Sequence, residues 1–121
     1  MKEIFPIQKI SSLIMSEKKW KYDFTQDARK DFKKLTGNQK IIVLKALDKV
    51  VQNPLPHTQG GYGVPLGNKH GFNLTGCLEV KLRGQNLRII YKLEKDKMVM
   101  LNIAIDERGD YEAYKVASSR L

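Results

Sequence analysis

Positively charged residues recur on the polar faces of two neighbouring predicted strands in the C-terminal half of the sequence. Lys81 lies in a segment that alternates apolar and charged residues, and Arg88 lies in the next such segment, across a short turn. Side chains that share a face of adjacent antiparallel strands lie about 5 to 8 Å apart. Arg108 closes a third strand and Tyr114 follows it, so we expect these four side chains to converge on one face of the sheet.

Such a cluster favours the binding of phosphate. Cations that meet at one point repel each other unless an anion lies between them, and arginine binds phosphate through two hydrogen bonds. When a 2′-hydroxyl of RNA attacks the adjacent phosphorus, fixed cations stabilise the charge that builds on the phosphoryl oxygens. Loss of one such group costs about 10² to 10³ in rate in other enzymes. A lysine crowded by arginines is also shifted toward its neutral form and can then accept the proton of the hydroxyl. Glu79 and Arg83 share the polar face of Lys81 and are further candidates, as catalytic or modulating residues.

The residues that other chemistries require are missing or scattered. The two histidines, His57 and His70, lie apart in one loop, and Cys77 is the single cysteine. No zinc site and no intrachain disulfide is therefore expected. The run Gly60 to Gly63 is not placed between a strand and a helix, as a phosphate-binding loop would be. The sequence predicts no metal and no cofactor.

The overall charge is strongly positive. The 121 residues include 22 Lys and Arg against 13 Asp and Glu, a net charge of +9. This excess favours a polyanionic partner such as nucleic acid or an acidic protein, although it also fits a basic protein whose charge only prevents association. There is no apolar run of the ~20 residues that span a membrane and no signal-peptide pattern. A cytoplasmic protein without membrane contact is expected.

The front half predicts one strand and two helices. Trp20, Tyr22 and Phe24 alternate with polar residues, which is typical of a half-buried strand. Thr25 is the predicted N-cap of a helix that stops at Gly37. A second amphipathic helix is predicted from about residue 38 to residue 52.

The second half predicts a loop, three strands and a helix. Residues 53–73 hold five of the nine glycines, a composition that predicts a long loop. Two tight turns then separate three strands, which favours an antiparallel meander. The fold class is α+β: an N-terminal two-helix hairpin packs on one face of a small, mainly antiparallel four-stranded sheet, and a short C-terminal helix follows. The face opposite the hairpin is expected to stay open to a ligand.

The domain boundary falls near residue 18. Residues 1–17 form an extension, either a loose tail or a short helix, and residues 18–121 form one domain. Met15 is an alternative start of the chain.

Four motifs follow one another along the domain: a Leu-Gly pair, a basic strand, an Arg-aliphatic-aliphatic-Tyr strand and an ending of the form Arg-x-x-x-x-x-Tyr-x-x-Ala-x-x-Arg. In this sequence they are Leu66-Gly67, Gly76 to Leu82, Arg88-Ile89-Ile90-Tyr91, and Arg108 with Tyr114, Ala117 and Arg120. Their order and spacing resemble the RelE/ParE superfamily of toxins from toxin–antitoxin systems, over about residues 19–121. The fold implied by the resemblance agrees with the fold class above.

The resemblance implies a metal-independent endoribonuclease that enters the ribosomal A site and cuts mRNA. By position, Lys81 would stabilise the phosphate or help to deprotonate the 2′-hydroxyl, and Arg88 would hold the phosphoryl oxygens. Arg108 would clamp the phosphate or donate a proton to the leaving 5′-oxygen, and Tyr114 would stack on the nucleotide. A cognate antitoxin is the implied protein partner, with mRNA and rRNA as nucleic-acid partners. The basic face of the first helix is expected to bind rRNA phosphates through Arg29, Lys30, Lys33 and Lys34.

The chain departs from the family pattern at Glu79, where some RelE-like enzymes carry a second lysine. This carboxylate either acts as the base or lowers the activity. Apart from this departure, two alternative functions stay open. One is a ParE-like inhibitor of DNA gyrase that does not cleave nucleic acid, and the other is a catalytically weak basic binding module.

Overall fold

The computed structural model describes residues 19–121, so the extension predicted for residues 1–17 lies outside the described part of the chain. The helices are α1 (Gln26–Lys34), α2 (Gly37–Val50) and α3 (Asp110–Ser119). The strands are β1 (Lys21–Phe24), β2 (Val64–Pro65), β3 (Asn68–Lys69), β4 (Phe72–Asn73), β5 (Cys77–Leu82), β6 (Leu87–Glu94) and β7 (Val99–Asp106).

Side-chain caps fix the starts of the first two helices. The Oγ1 atom of Thr25 accepts a hydrogen bond from the backbone N–H of Ala28 at 3.1 Å, as the sequence predicts. Thr36 and Gln39 form a capping box, in which each side chain bonds to the backbone of the other. Gly37, predicted to end the first helix, is instead the first residue of α2, because Thr36 supplies an N-cap directly before it.

The main sheet has five strands in the order β1-β7-β6-β5-β2. Strand β1 is parallel to β7, and the other pairings are antiparallel. The four predicted strands are all present. The predicted loop over residues 53–73 adds the short edge strand β2 and the separate hairpin β3-β4, so the fold is α+β as expected.

Both faces of the sheet carry apolar residues, and each face is covered by helix. The face toward the helical hairpin buries Val43, Leu47, Val50, Leu78, Leu87, Ile89, Tyr91, Met100 and Ile105. The other face buries Leu66, Leu74, Cys77, Ile90, Ile103, Ala104, Ala113, Tyr114 and Ala117. The expectation of a fully open second face is therefore wrong, because the apolar side chains of β6 and β7 on that face are covered by α3.

The last helix is tied to the N-terminal half by Arg120. Its Nη1 atom donates to Asp31 Oδ2 at 2.6 Å and to the carbonyl of Ile103 at 2.9 Å, and its Nη2 atom donates to Asp31 Oδ1 at 3.1 Å. Arg120 thereby connects α3 to α1 and to strand β7, and fixes the position of α3 over the sheet.

A hydrogen bond from the core holds the segment that precedes strand β2. The Tyr91 hydroxyl, buried in the sheet, donates to the carbonyl of Pro54 at 2.7 Å. A side chain at Gly63 would clash with that hydroxyl and with Leu78. Glycine at this position lets the chain lie directly against the sheet, which sets where Tyr62 emerges.

Among residues 19–121, no helix is both long and apolar enough to cross a membrane.

Candidate functional site

Lys81 and Arg88 are direct cross-strand partners on β5 and β6. Both side chains bind the carboxylate of Asp110, the first residue of α3. Arg88 Nε donates to Asp110 Oδ1, and Lys81 Nζ lies 3.4 Å from Asp110 Oδ2. Two cations thus share one anion at the point where α3 begins on the sheet.

The charge of Asp110 is stabilised by these two cations. Partial burial acts to raise the pKa of Asp110, but the hydrogen bond and charge of Arg88, with the charge of Lys81, outweigh it and hold that pKa below its usual value. Arg88 is the most enclosed member, with 14% of its side chain exposed against 33% for Lys81 and 36% for Asp110. The cluster therefore favours an anionic oxygen at a half-open position.

A buried pair, Tyr114 and Glu79, lies next to this cluster. The Tyr114 hydroxyl lies 2.9 and 3.0 Å from the two carboxylate oxygens of Glu79 and donates its one proton to them. Burial raises the pKa of Glu79, although the hydrogen bond from Tyr114 and the charges of Lys81 and Arg88 act against it. Burial and the Glu79 carboxylate also raise the pKa of Tyr114. A buried carboxyl with a raised pKa next to cations is a candidate for proton transfer.

His70 covers the ring of Tyr114. The two ring centroids are 5.8 Å apart and the ring planes lie 27° from parallel. Tyr114 itself is only 3% exposed, whereas His70 is exposed. The free aromatic surface at this point is therefore that of His70, not that of Tyr114.

A cavity of about 450 Å³ opens beside these groups. Its lining includes Glu79, Lys81 and Tyr114 of the polar cluster, and Tyr62 and His70 from the long loop. The cavity is large enough for several atoms of a nucleotide next to the Lys81 ammonium.

Arg108 is not part of this cluster. Its Nη2 atom binds Asp106 Oδ2 at 2.7 Å, and its Nη1 atom lies 3.8 Å from Glu112 Oε2. It lines a different cavity, of about 350 Å³, together with Asp31, Lys34 and Arg120. The structure thus brings Lys81, Arg88 and Tyr114 together and places Arg108 elsewhere, because the nearly buried carboxylate of Asp106 takes its guanidinium. The roles of all four remain predictions.

The basic residues of α1 lie at the surface. Arg29, Lys30 and Lys33 are exposed and line a shallow cavity together with Gln26. Lys34 is exposed as well but faces the cavity of Arg108. Arg83, on the turn between β5 and β6, is exposed and lines the cavity beside Lys81.

Sequence reasoning missed two members of the site. Asp110 is not among the residues that the sequence suggests for the site; an acidic residue in the first turn of the last predicted helix, next to a basic strand pair, is the available signal. His70 enters the sequence-based reasoning only as one of two histidines that lie apart in a loop. Its pairing with Gly71 at the tip of the β3-β4 hairpin could have been found from the dipeptide ending in glycine.

No group of metal-binding side chains occurs in the described part of the chain. The prediction of no cofactor stays untested.

Sequence comparison gives no relative, whereas structural comparison does. No protein-family model and no curated protein matches the sequence. A double mutant of the toxin RelE from Escherichia coli, solved in its free state, superposes with a TM-score of 0.63 at 24% identity, over 84% of this chain and 97% of that one. RelBE2, a toxin–antitoxin complex from Mycobacterium tuberculosis, matches with a TM-score of 0.60 at 21% identity, over 74% of this chain and 98% of the matched chain.

A third match comes from an archaeon. The RelE–RelB complex from Pyrococcus horikoshii superposes with a TM-score of 0.53 at 15% identity, over 75% of this chain and 97% of the matched chain. The matches span nearly the full length of their partners, from bacteria to archaea, and they agree with the element order described above. The chain therefore has the fold of the RelE toxins.

Proposed function

We propose that this chain is the toxin of a toxin–antitoxin module and that it cleaves mRNA in the ribosomal A site without a metal ion. The observation that carries this proposal is the carboxylate of Asp110, which lies between Arg88 and Lys81. It occupies a position where two cations would hold a phosphoryl oxygen of the substrate. The RelE fold and the net charge of +9 support the same activity.

In the proposed reaction the 2′-oxygen attacks the adjacent phosphorus while its proton passes to a base. The bond from phosphorus to the 5′-oxygen breaks, and that oxygen takes a proton, which leaves a 2′,3′-cyclic phosphate and a 5′-hydroxyl. Arg88 and Lys81 stabilise the charged phosphoryl oxygens after they exchange Asp110 for the substrate. Lys81 and Glu79 are the two candidates for the base.

Arg108 enters the reaction only if it leaves Asp106. We propose that the RNA phosphate competes with Asp106 for its guanidinium, which then clamps the phosphate or protonates the leaving oxygen. Lys81 and Arg88 are thus expected to contribute more to RNA binding than Arg108.

The proposed protein partner is a cognate antitoxin. The Mycobacterium tuberculosis and Pyrococcus horikoshii matches are complexes with their antitoxins, and a double mutant of the Escherichia coli toxin was solved with a peptide of the antitoxin RelB. An antitoxin that keeps the toxin inactive in the cytoplasm follows from the same proposal.

The test is expression of the chain without a partner, with growth and the 5′ ends of cellular mRNA as readouts. The unchanged chain should arrest growth and produce new 5′ ends within translated codons, and Arg88→Ala should abolish both effects. Lys92→Ala, which removes a cation from the same strand outside the cluster, is the control and should stay toxic. If the double variant Lys81→Ala, Arg88→Ala arrests growth as strongly as the unchanged chain, the nuclease proposal fails.

One observation favours a second candidate, an inhibitor of DNA gyrase. Asp106 binds Arg108, which lines a different cavity from Lys81, so the four-residue cluster expected for RNA cleavage is incomplete, as in a protein that does not cleave RNA. A supercoiling assay with purified gyrase separates the two functions, since only the gyrase inhibitor stops supercoiling when no RNA is present.

A further inference from the structure

The cavity beside Lys81 combines aromatic rings with several cations. Tyr62 and His70 supply rings to its lining, and Lys69, Lys81 and Arg83 supply positive charges. Tyr62 is 48% exposed. Aromatic rings interleaved with cations are the composition of sites that hold a single-stranded nucleic acid, where the rings stack on bases and the cations follow the phosphates.

His70 is presented by a strained turn. Strands β3 and β4 pair Lys69 with Phe72, so His70 and Gly71 form a two-residue loop. Both have positive φ, 55° and 85°, as a type I′ turn requires. Asparagine is the usual residue at the first of these positions. A backbone in this region is costly for residues other than glycine, and such strain is often found at binding sites.

The ring of His70 is held in place from below. It stacks on Tyr114 and meets the ring of Tyr111 edge-on at 6.1 Å. Phe72 packs on Tyr111 at 5.4 Å. The exposed ring of His70 thus rests on the rings of two tyrosines and is already restrained. Little side-chain entropy of His70 therefore remains to be lost when a ligand stacks on it.

Tyr114 cannot supply that surface itself. It is 3% exposed, its hydroxyl is engaged by Glu79, and His70 lies over its ring. Tyr114 therefore has no free ring face with which to stack on a nucleotide, as the family resemblance implies it would.

We propose that His70 is the base-stacking residue of this chain, and that the cavity beside it is a nucleobase subsite next to the phosphate position of Lys81 and Arg88. This inference rests on the proposed function in that it takes the ligand to be RNA. Tyr62, on the lining of the same cavity, gives the base a second aromatic neighbour. An acidic protein segment would use the cations but would gain little from the stacked rings.

The test measures binding of two RNA trinucleotides to the full chain by calorimetry. Both carry 2′-O-methyl groups, which block cleavage, and one lacks the central base. The unchanged chain should bind the complete trinucleotide roughly 5 to 140 times more tightly than the base-free one. This range corresponds to a stacking contribution of about 1 to 3 kcal/mol.

Two variants of one residue make the result specific. His70→Asn keeps the turn, since Asn-Gly is the favoured sequence for it, but removes the ring. This variant should lose most of the preference for the complete trinucleotide and keep only the part that Tyr62 supplies. His70→Tyr restores a ring and should restore the preference. If the unchanged chain shows no preference, or if His70→Asn keeps it in full, the subsite is rejected.

The outcome is separable from that of the nuclease proposal. A base preference that depends on His70, in a chain that does not cleave mRNA, supports the subsite and rejects the proposed function. Cleavage of mRNA by a chain that shows no base preference supports the proposed function and rejects the subsite. If poly-glutamate binds and His70→Asn weakens only that complex, the surface serves an acidic protein and the subsite is rejected.

Discussion

The single carboxylate of Asp110 decides how much of the cationic site is available. It binds both Lys81 and Arg88, so any other anion must displace it. The groups are about one-third exposed except for Arg88, and solvent screens such pairs to about 1 kcal/mol or less. Asp110 therefore weakens the binding of another anion at this site but does not prevent it.

Replacement of Asp110 by asparagine should open the site. Because the variant removes the competing charge, we expect the affinity for inorganic phosphate to rise roughly two- to fivefold. Phosphate titration followed by NMR of the arginine Nε–H signals would measure it. Asp96→Asn makes the same charge change in the turn at the other end of β6 and should leave the affinity unchanged. A weaker affinity in Asp110→Asn would mean that this carboxylate orients the two cations instead of competing with the phosphate.

The pairing of Asp106 with Arg108 can be tested through the pH dependence of the stability of the chain. Burial acts to raise the pKa of Asp106, but hydrogen bonds from the side chain and backbone of Arg108 and the charge of Arg108 lower it overall. A carboxyl with a lowered pKa in the folded chain adds stability above its unfolded pKa, and this stability is lost as the pH falls through the folded value.

Arg108→Ala should therefore destabilise the chain at neutral pH, and the difference from the unchanged chain should shrink in acid, below the ordinary range of an aspartate near about pH 4. Urea unfolding between neutral and acid pH would measure the free energy of unfolding for both chains. Arg83→Ala removes an exposed arginine from a turn and should give no such pH-dependent difference. A difference that grows in acid would contradict the pairing.

At the scale of elements, the position of α3 depends on contacts with distant parts of the chain. Arg120 is 19% exposed and Asp31 14% exposed in their side chains. Loss of one partner of an enclosed hydrogen-bonded charged pair costs about 1.5 to 3 kcal/mol in total. The helix carries Asp110 and Tyr114, so its attachment also sets the geometry of the candidate site.

Arg120→Ala should lower the free energy of unfolding by about 1.5 to 3 kcal/mol, because the Ile103 carbonyl loses this donor and the Asp31 carboxylate is left with the backbone N–H of Ile105. Urea unfolding measures the change. Arg29→Ala breaks an exposed ion pair of 3.9 Å with Asp23 and should cost less than about 1 kcal/mol. Equal losses in the two variants would show that Arg120 does not fix α3.

The sequence predicts elements of this fold better than it predicts contacts between them. Alternation at Tyr22 and Phe24 was sufficient for β1, and Thr25 was sufficient for the start of α1. Gly37 was misread because a glycine that follows a helix and one that begins the next helix look alike without the Thr36 capping box in view. Strands of two residues, such as β2, leave no periodic signal at all.

The candidate site was predictable only in part for the same reason. The pairing of Lys81 with Arg88 follows from strand order and a tight turn. The pairing of Arg108 with Asp106 depends on how deeply Asp106 is buried, which no local pattern reveals. Likewise, His70 and Tyr114 are distant in sequence, and only the packing of the β3-β4 hairpin on α3 brings their rings together.

At the scale of the whole molecule, two regions of the described chain are candidates for contact with phosphates. One is the cluster of Lys81 and Arg88, and the other is the exposed face of α1 with Arg29, Lys30 and Lys33. A protein that neutralises phosphates releases counterions, and its affinity falls with salt in proportion to the number of phosphates it contacts.

The triple variant Arg29→Ala, Lys30→Ala, Lys33→Ala should reduce the slope of log affinity against log salt by about 2 for single-stranded RNA. Alanine preserves the helix, so charge is the main change. Filter binding to a long RNA at several salt concentrations measures the slope. The control replaces three lysines around the β6-β7 turn, Lys92, Lys95 and Lys97, by alanine. It has the same net charge as the first triple variant and should change the slope less. Equal slopes in the two variants would mean that α1 has no special role.

The parallel pairing of β1 with β7 has a consequence for synthesis of the protein. Strand β1 aligns Tyr22 with Met100, and Asn102 donates from β7 to the carbonyl of Asp23 at 2.9 Å. Strand β1 therefore leaves the ribosome long before β7 and stays without this pairing partner until β7 has been synthesised. We expect nascent chains arrested before β7 to remain sensitive to protease and those extended past α3 to resist it. On this account, translation itself delays assembly of the cation cluster until both β7 and α3 have left the ribosome.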